Sequence, residues 1–187
     1  MDSKNFAVWL TGIPGSGKSS IAEKLDRLLK KEDISAFILQ TDYMRKYITP
    51  NPQYNDQERQ IVYNAFAFTS KLLVDHGTNV IMDGTGNRRK YRALANEIIP
   101  NFLLIFLQCP LKVAIKREMS RADTKEAPDE IYEKAKKGES KTVPGIQVKY
   151  EDPKDPDLIV NTDKLNIEES AHKIKSKIVS EFFPNIN

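Results

Sequence analysis

With one cysteine and two histidines in 187 residues, the chain has almost none of the soft side chains from which metal centres are assembled. Cys109 has no partner for an internal disulfide and no Cys/His cluster carries zinc spacing, which points to a reducing compartment. Long hydrophobic runs are missing as well: the longest, such as Phe102 to Leu107, are far too short to span a bilayer. The start of the chain, where Asp2 and Lys4 lead straight into a strand-like segment, lacks the basic start and apolar run of a signal peptide. A cytoplasmic protein with no membrane partner is the expectation. Charge of one sign is scarce too. A net +3 from 29 basic and 26 acidic residues is too dilute for a duplex-binding surface, so no nucleic-acid partner is expected, while a small anionic ligand suits it. The remaining composition, 40% hydrophobic and 29% charged, is that of an ordinary globular protein, and the length fits one domain over residues 1–187.

Five short segments rich in β-branched and aromatic residues read as buried strands: Phe6 to Thr11, Ala36 to Gln40, Asn79 to Asp83, Phe102 to Gln108, and Leu158 to Asn161. Stretches with helical spacing separate them. The clearest places Ile21, Ala22, Leu25, Leu28 and Leu29 on one face and closes on Lys30 and Lys31, whose charges complement the helix dipole. This alternation predicts a three-layer α/β fold, a five-stranded parallel sheet flanked by helices, with ligands at the carboxyl ends of the strands. The last segment, with Ala171, Ile174, Ile178 and Phe182, reads as an amphipathic helix closing the core. Two stretches resist the alternation. Thr49 to Glu58 is polar, contains Pro50 and Pro52, and reads as a loop over the site. Asp123 to Pro156 is mostly charged, contains Gly138, Pro144, Gly145, Pro153 and Pro156, and is too long for a plain connection. It reads either as a charged lid or as a solvated surface helix with a loop.

Between the first strand and the first helix, Gly12-Ile13-Pro14-Gly15-Ser16-Gly17-Lys18-Ser19 fits G-x-x-x-x-G-K-[ST], the phosphate loop of P-loop NTPases. Glycines let successive backbone N–H groups curl around the phosphates of ATP, and the helix N-terminus adds its dipole. Lys18 supplies a point charge, and Ser19 offers a hydroxyl to Mg²⁺. Pro14 within the loop and Ser20 just after it complete the expected nucleotide contacts. A Gly-rich turn that merely joins strand to helix does not require Lys-Ser after its last glycine.

The guanine-reading sequence Asn-Lys-x-Asp is absent; Asn161-Thr162-Asp163-Lys164 has the wrong order. Motor and transporter ATPases usually bring further domains, for which the chain has little room. A kinase with a lid fits better, because transfer to an acceptor other than water requires closing the site. An ATP sensor without turnover is the alternative of a different class, and it needs no acceptor site. Acceptor residues are nevertheless readable. Asp42 follows the second strand and Asp83 the third, so one carboxylate can accept the acceptor's proton while the other holds Mg²⁺ through water, unless either is only a helix cap. Arg45, Arg59, Arg89 and Arg92, on the segments leaving those strands, are candidate clamps for an anionic acceptor. Trp9, His76 and His172 carry no functional expectation.

These residues resemble adenylylsulfate kinases, which phosphorylate the 3′-hydroxyl of adenylylsulfate with MgATP. The likeness takes in the phosphate loop, then Thr41-Asp42-Tyr43-Met44-Arg45, which looks like the family's Gly-Asp-Asn-Val-Arg, and Arg59. It continues through Lys134-Ala135, Gly138-Glu139, Lys141, Gly145-Ile146, Tyr150-Glu151, Pro153, Pro156, Leu158 and Thr162-Asp163 in the family's order. The resemblance implies that Asp42 is the base, that Arg45 and Arg59 contact the substrate, that Lys141 reaches the phosphates, and that Tyr54 stacks on the substrate's adenine. Arg117 and Arg121 stand where related kinases stack arginines on the adenine of ATP. Departures cluster at the acceptor pocket. Val62-Tyr63-Asn64-Ala65 replaces Asn-Ile-Arg-Arg, Val143 replaces a phenylalanine, and Asp83-Gly84-Thr85-Gly86-Asn87-Arg88 replaces Phe-Ile-Ser-Pro-Tyr-Arg. Asp83-Gly84-Thr85 followed by Arg92 looks like metabolite and polynucleotide kinases of the wider P-loop group. Adenylylsulfate leads as acceptor, with another activated nucleotide such as a cytidine diphosphate derivative, a small metabolite or a polynucleotide 5′-end behind it. A homodimer is left open.

Overall fold

The computed structural model describes residues 5–120 and 143–184. Its strands are β1 (Ala7–Thr11), β2 (Ala36–Gln40), β3 (Asn79–Asp83), β4 (Phe102–Gln108) and β5 (Leu158–Asn161). The helices are α1 (Lys18–Lys30), α2 (Thr41–Ile48), α3 (Asp56–Asp75), α4 (Arg89–Ile98), α5 (Leu111–Met119) and α6 (Ile167–Phe182). The strands form one parallel sheet in the order β2-β3-β1-β4-β5. Expected and observed strands coincide, except that β1 begins at Ala7 rather than Phe6.

Strand β1 explains the layering. All five of its residues are buried, because successive side chains leave a strand on opposite faces and both faces here are covered. Val8 and Leu10 pack on one side with Ile21, Leu25 and Leu29 of α1 and with Ala171, Ile174 and Ile178 of α6. Ala7 and Trp9 pack on the other with Tyr63, Phe66 and Ala67 of α3 and with Tyr91 and Ala95 of α4. Helix α1 buries the five apolar residues its spacing predicts, Ile21, Ala22, Leu25, Leu28 and Leu29. Truncating a core residue such as Leu25 to alanine costs about 2–5 kcal/mol at sites of this kind. Helix α6 starts at a capping box, in which the Asn166 side chain accepts from the Glu169 amide and Glu169 reaches back to the Asn166 amide.

The loop expected over Thr49 to Glu58 is shorter than its polarity suggests. The Asn55 side chain accepts the Glu58 amide at 2.9 Å, and Asp56 and Glu58 occupy the first turn of α3, where the helix dipole favours acidic groups. Of the expected lid, residues 123–142 lie outside the described residues. The described remainder folds back onto the sheet edge, where the Leu104 amide donates to Asp157 Oδ2 at 2.7 Å and the Asp157 amide to the Leu104 carbonyl at 3.0 Å. Among the described residues no helix is long and apolar enough to cross a membrane.

β1 lies between β3 and β4, and β2 lies beyond β3, so the chain crosses β1 between its third and fourth strands. That reversal opens a crevice at the carboxyl ends of the strands. The residues singled out from the sequence converge on it.

Candidate active site

Between β1 and α1 the chain turns through residues 12–17. Gly15 has φ +75° and Gly17 φ +95°, a left-handed backbone that L side chains rarely adopt. Gly15 is doubly constrained, because a β-carbon there would lie 2.3 Å from the Ala114 carbonyl oxygen of α5. Gly17 caps α1 without any side-chain hydrogen bond, so the dipole end of the helix opens onto the cavity. Among the described residues the buried Ser16 hydroxyl has no hydrogen-bond partner. Lys18 Nζ donates to the Gly12 and Ile13 carbonyls at 3.2 and 3.1 Å, which curls the side chain back over the loop. An uncapped helix end, an orphaned hydroxyl and a lysine together fit a phosphate chain. Ser19, Asp42 and Asp83 line the same cavity. Among the described residues no group of three or more His, Cys, Asp or Glu side chains could hold a metal alone. This donor set therefore fits Mg²⁺, which takes one or two carboxylates and completes its shell with phosphate oxygens and water.

The cavity measures about 580 Å³ and runs from the phosphate loop to a second group of residues. Asp42 sits in the first turn of α2. Asp83, nearly buried at the tip of β3, accepts from Gln40 Nε2 at 3.1 Å across the register pair of β2 and β3. The Tyr54 ring lies under two guanidinium groups, Arg45 at 4.7 Å and Arg59 at 5.8 Å from its centroid. Arg59 Nε donates to the Tyr54 carbonyl at 2.9 Å. Glu58 holds the arrangement from behind, accepting Arg45 Nη1 at 2.5 Å and the amides of Gln53 at 2.5 Å and Tyr54 at 3.0 Å. Burial raises the pKa of the Tyr54 phenol and lowers that of the Arg59 guanidinium. At the other end of the cavity, Arg117 donates to the Thr162 carbonyl at 2.6 Å, beside Leu165, Ile167 and Ser170.

A profile of the family described as adenylylsulphate kinase matches residues 4–161. This chain belongs to the adenylylsulfate kinase family. Members of the family are phosphotransferases that act on a hydroxyl group. The adenylyl-sulfate kinase of Halothermothrix orenii is 30% identical over 185 residues, 99% of this chain and 95% of the relative. A probable adenylyl-sulfate kinase of Halalkalibacterium halodurans is 32% identical over 175 residues, 91% of this chain and 81% of the relative. Among solved structures, the Mycobacterium tuberculosis APS kinase in complex with AMPPNP and APS superposes with a TM-score of 0.83 at 29% identity, covering 94% of this chain and 98% of that one.

The candidate site residues named from the sequence mostly meet at one cavity. Pro14, Gly15, Ser16, Gly17, Lys18, Ser19 and Ser20 line it, as do Asp42, Arg45, Tyr54, Arg59, Asp83, Gly84, Thr85 and Arg117. Gly12 is buried behind the loop rather than in its wall, and a β-carbon there would meet the Ser16 hydroxyl at 2.6 Å. Arg89 and Arg92, expected as anion clamps, do not line the cavity. Arg89 Nε donates to the Asp152 carbonyl at 2.7 Å. Arg92, only 2% exposed, donates to the Glu151 carbonyl and to Thr11 Oγ1 and lies 5.2 Å from the Tyr150 ring centroid. Both arginines face the chain that returns from residue 143, because the start of α4 packs against residues 149–152. Lys141 and Arg121 lie outside the described residues. Sequence reasoning missed Gln40, Glu58 and Tyr63, and gave Trp9 no role. Glu58 alone left a signal, as the third residue after an Asn N-cap.

Proposed function

We propose that the chain is an ATP-dependent kinase that transfers the γ-phosphoryl group to the 3′-hydroxyl of adenylylsulfate, giving 3′-phosphoadenylylsulfate and ADP. The observation that carries this reading is that a single cavity joins the phosphate loop to Asp42, Arg45, Tyr54 and Arg59, the positions that resemble the family's acceptor residues. The loop amides and Lys18 hold the triphosphate, with Arg117 at the nucleoside end. With Asp42 as the base, Ser19 directly and Asp83 through water would hold Mg²⁺, and the ion would supply neutralisation of phosphate charge. Asp42 takes the proton of the acceptor hydroxyl as its oxygen bonds to the γ-phosphorus. The bond from that phosphorus to the β-γ bridging oxygen breaks, and ADP leaves with the electron pair. Arg45 and Arg59 hold the acceptor's anionic group, and Tyr54 presents a ring face to its base.

A second reading, a kinase for another activated nucleotide, is favoured by Tyr63 and Val143. Both are buried in the cavity wall where the family pattern has isoleucine and phenylalanine. Both readings are tested by ADP release from MgATP with adenylylsulfate, cytidine nucleotides, sugars and 5′-hydroxyl oligonucleotides as acceptors. Stimulation by adenylylsulfate is expected. Stimulation by a cytidine nucleotide alone would move the assignment to the second reading, and stimulation by none would leave only nucleotide binding.

A further inference from the structure

Residues 143–151 hold the entry to the phosphate loop at two points. At the first, residues 143–148 close into a tight turn. The amides of Ile146, Gln147 and Val148 all donate to the Val143 carbonyl, at 3.2, 3.0 and 3.1 Å, and the Gly145 amide donates to the Val148 carbonyl at 2.8 Å. This turn lies so close to the phosphate loop that a β-carbon at Gly145, where φ is +90°, would stand 3.2 Å from Ile13 Cγ2.

At the second point Tyr150 reaches Thr11, the last residue of β1 and the one before Gly12. Three groups meet at Thr11 Oγ1: the Thr85 carbonyl at 2.6 Å, the Tyr150 hydroxyl at 2.8 Å and Arg92 Nη1 at 3.3 Å. A carbonyl only accepts and a guanidinium only donates, so Thr11 gives its single proton to Thr85 and accepts from the other two. The Tyr150 hydroxyl is therefore the donor to Thr11.

Tyr150 is seated by a junction with the start of α4. The Glu151 amide donates to the Asn87 carbonyl at 2.8 Å, and Asn87 Nδ2 to the Lys149 carbonyl at 3.3 Å. The Arg89 amide donates to Glu151 Oε2 at 2.9 Å and Arg88 Nη1 to Glu151 Oε1 at 3.3 Å. Helix α4 has no side-chain cap from its own N-cap residue, Arg88, and Glu151 supplies one from 62 residues away.

Resting on the nucleotide reading above, we propose that residues 143–151 are a buttress that preorganises the phosphate loop, with Tyr150 the positioning residue at Thr11 and Gly145 the close contact at Ile13. A glycine-rich loop with φ of +75° and +95° at Gly15 and Gly17 loses much conformational freedom when it orders. Holding its entry in place before phosphate arrives removes part of that cost from nucleotide binding.

The test is titration calorimetry with MgADP, together with amide hydrogen exchange of the nucleotide-free protein, for the unaltered chain and for Tyr150→Phe, Gly145→Ala, Thr11→Val and Thr11→Ser. Tyr150→Phe is expected to weaken MgADP binding roughly three- to tenfold, the range of one hydrogen bond, and to speed exchange at residues 12–17. Gly145→Ala, which acts at Ile13 instead, should move both readouts in the same direction, and it carries the test alone if Tyr150→Phe does not fold. Thr11→Val should weaken binding as well, while Thr11→Ser, which keeps the hydroxyl, should match the unaltered chain. A merely structural contact would lower Tm and speed exchange at residues 149–152 alone. That pattern, with the MgADP Kd and exchange at residues 12–17 unmoved in Tyr150→Phe and Gly145→Ala, overturns the proposal. Absence of MgADP binding by the unaltered chain would instead remove the nucleotide reading itself, and the role of the buttress with it.

Discussion

Glu58→Ala is the substitution whose consequence follows most directly from the geometry. The Glu58 and Arg45 side chains are only 11% and 8% exposed, and their contact is 2.5 Å. Removing the carboxylate leaves a buried guanidinium with only Thr49 Oγ1, at 3.5 Å, and the Tyr54 ring as described neighbours. Breaking one partner of a buried pair costs about 3–5 kcal/mol. In a chain of this length each kcal/mol is worth roughly 2–4 °C of Tm, so a fall of about 10 °C is expected. The same change strips the acceptor from the Gln53 and Tyr54 amides. Tyr54 sits at φ +53°, a conformation a tyrosine holds only when its surroundings impose it. The ring should therefore leave its place over the arginines, and KM for the acceptor should rise while KM for ATP does not. Thermal unfolding by circular dichroism and acceptor-varied ADP release measure the two effects. Glu58→Gln, which keeps one acceptor oxygen, should show a smaller loss of both. A Tm within about 2 °C of the unaltered chain, with an unchanged acceptor KM, would refute the reasoning.

Asp42→Asn should retain ATP binding by calorimetry but lose turnover by roughly the 10²–10⁴-fold of a positioned base; unchanged kcat would take the role from Asp42. Lys18→Ala, or chelation of Mg²⁺ with EDTA, should abolish ADP release, and near-normal rates in either case would count against phosphoryl transfer at this loop. Stability should fall above pH 10. Burial raises the pKa of Tyr63, Tyr91 and Tyr150, the last to about 12. The folded chain thus keeps protons that the unfolded chain begins to release near pH 10, so stability is full below that pH and declines between pH 10 and 12. Urea titrations across that window should show a shallower decline for Tyr150→Phe; identical slopes would mean that Tyr150 does not contribute.

The strands and α1 were legible because their information is local. A run such as Phe102 to Gln108 encodes a buried strand by its own composition, and Ile21, Leu25 and Leu28 encode a helix face by spacing. Arg92 was misread for the converse reason. Composition gives its charge but not its direction, and only the packing of α4 against residues 149–152 turns it from the cavity toward Thr11 and Tyr150. Helix α3 begins earlier than its polarity suggested because the Asn55 cap decides the boundary, not the prolines before it.

The two ends of the cavity differ in the same way, and this bears on how they diverge. The phosphate end is built from consecutive backbone between β1 and α1, where Gly15 cannot change without a clash with α5 and Gly17 holds a left-handed φ of +95°. It is therefore visible as a motif and fixed as a structure. The other end is assembled from side chains of β1, β2, α2, α3 and the loop after β3, so only its α2 part, Thr41 to Arg45, shows as a contiguous pattern. Any one of those elements can exchange a contact while the others hold the cavity open. Tyr63 does this by packing between Trp9 and Tyr91, at ring separations of 6.0 and 4.7 Å, while its hydroxyl reaches the Gly86 amide. A family pattern read along the chain therefore carries more weight for the nucleotide than for the acceptor. At the acceptor end the decisive residues are those where this chain leaves the pattern and its packing closes around the change.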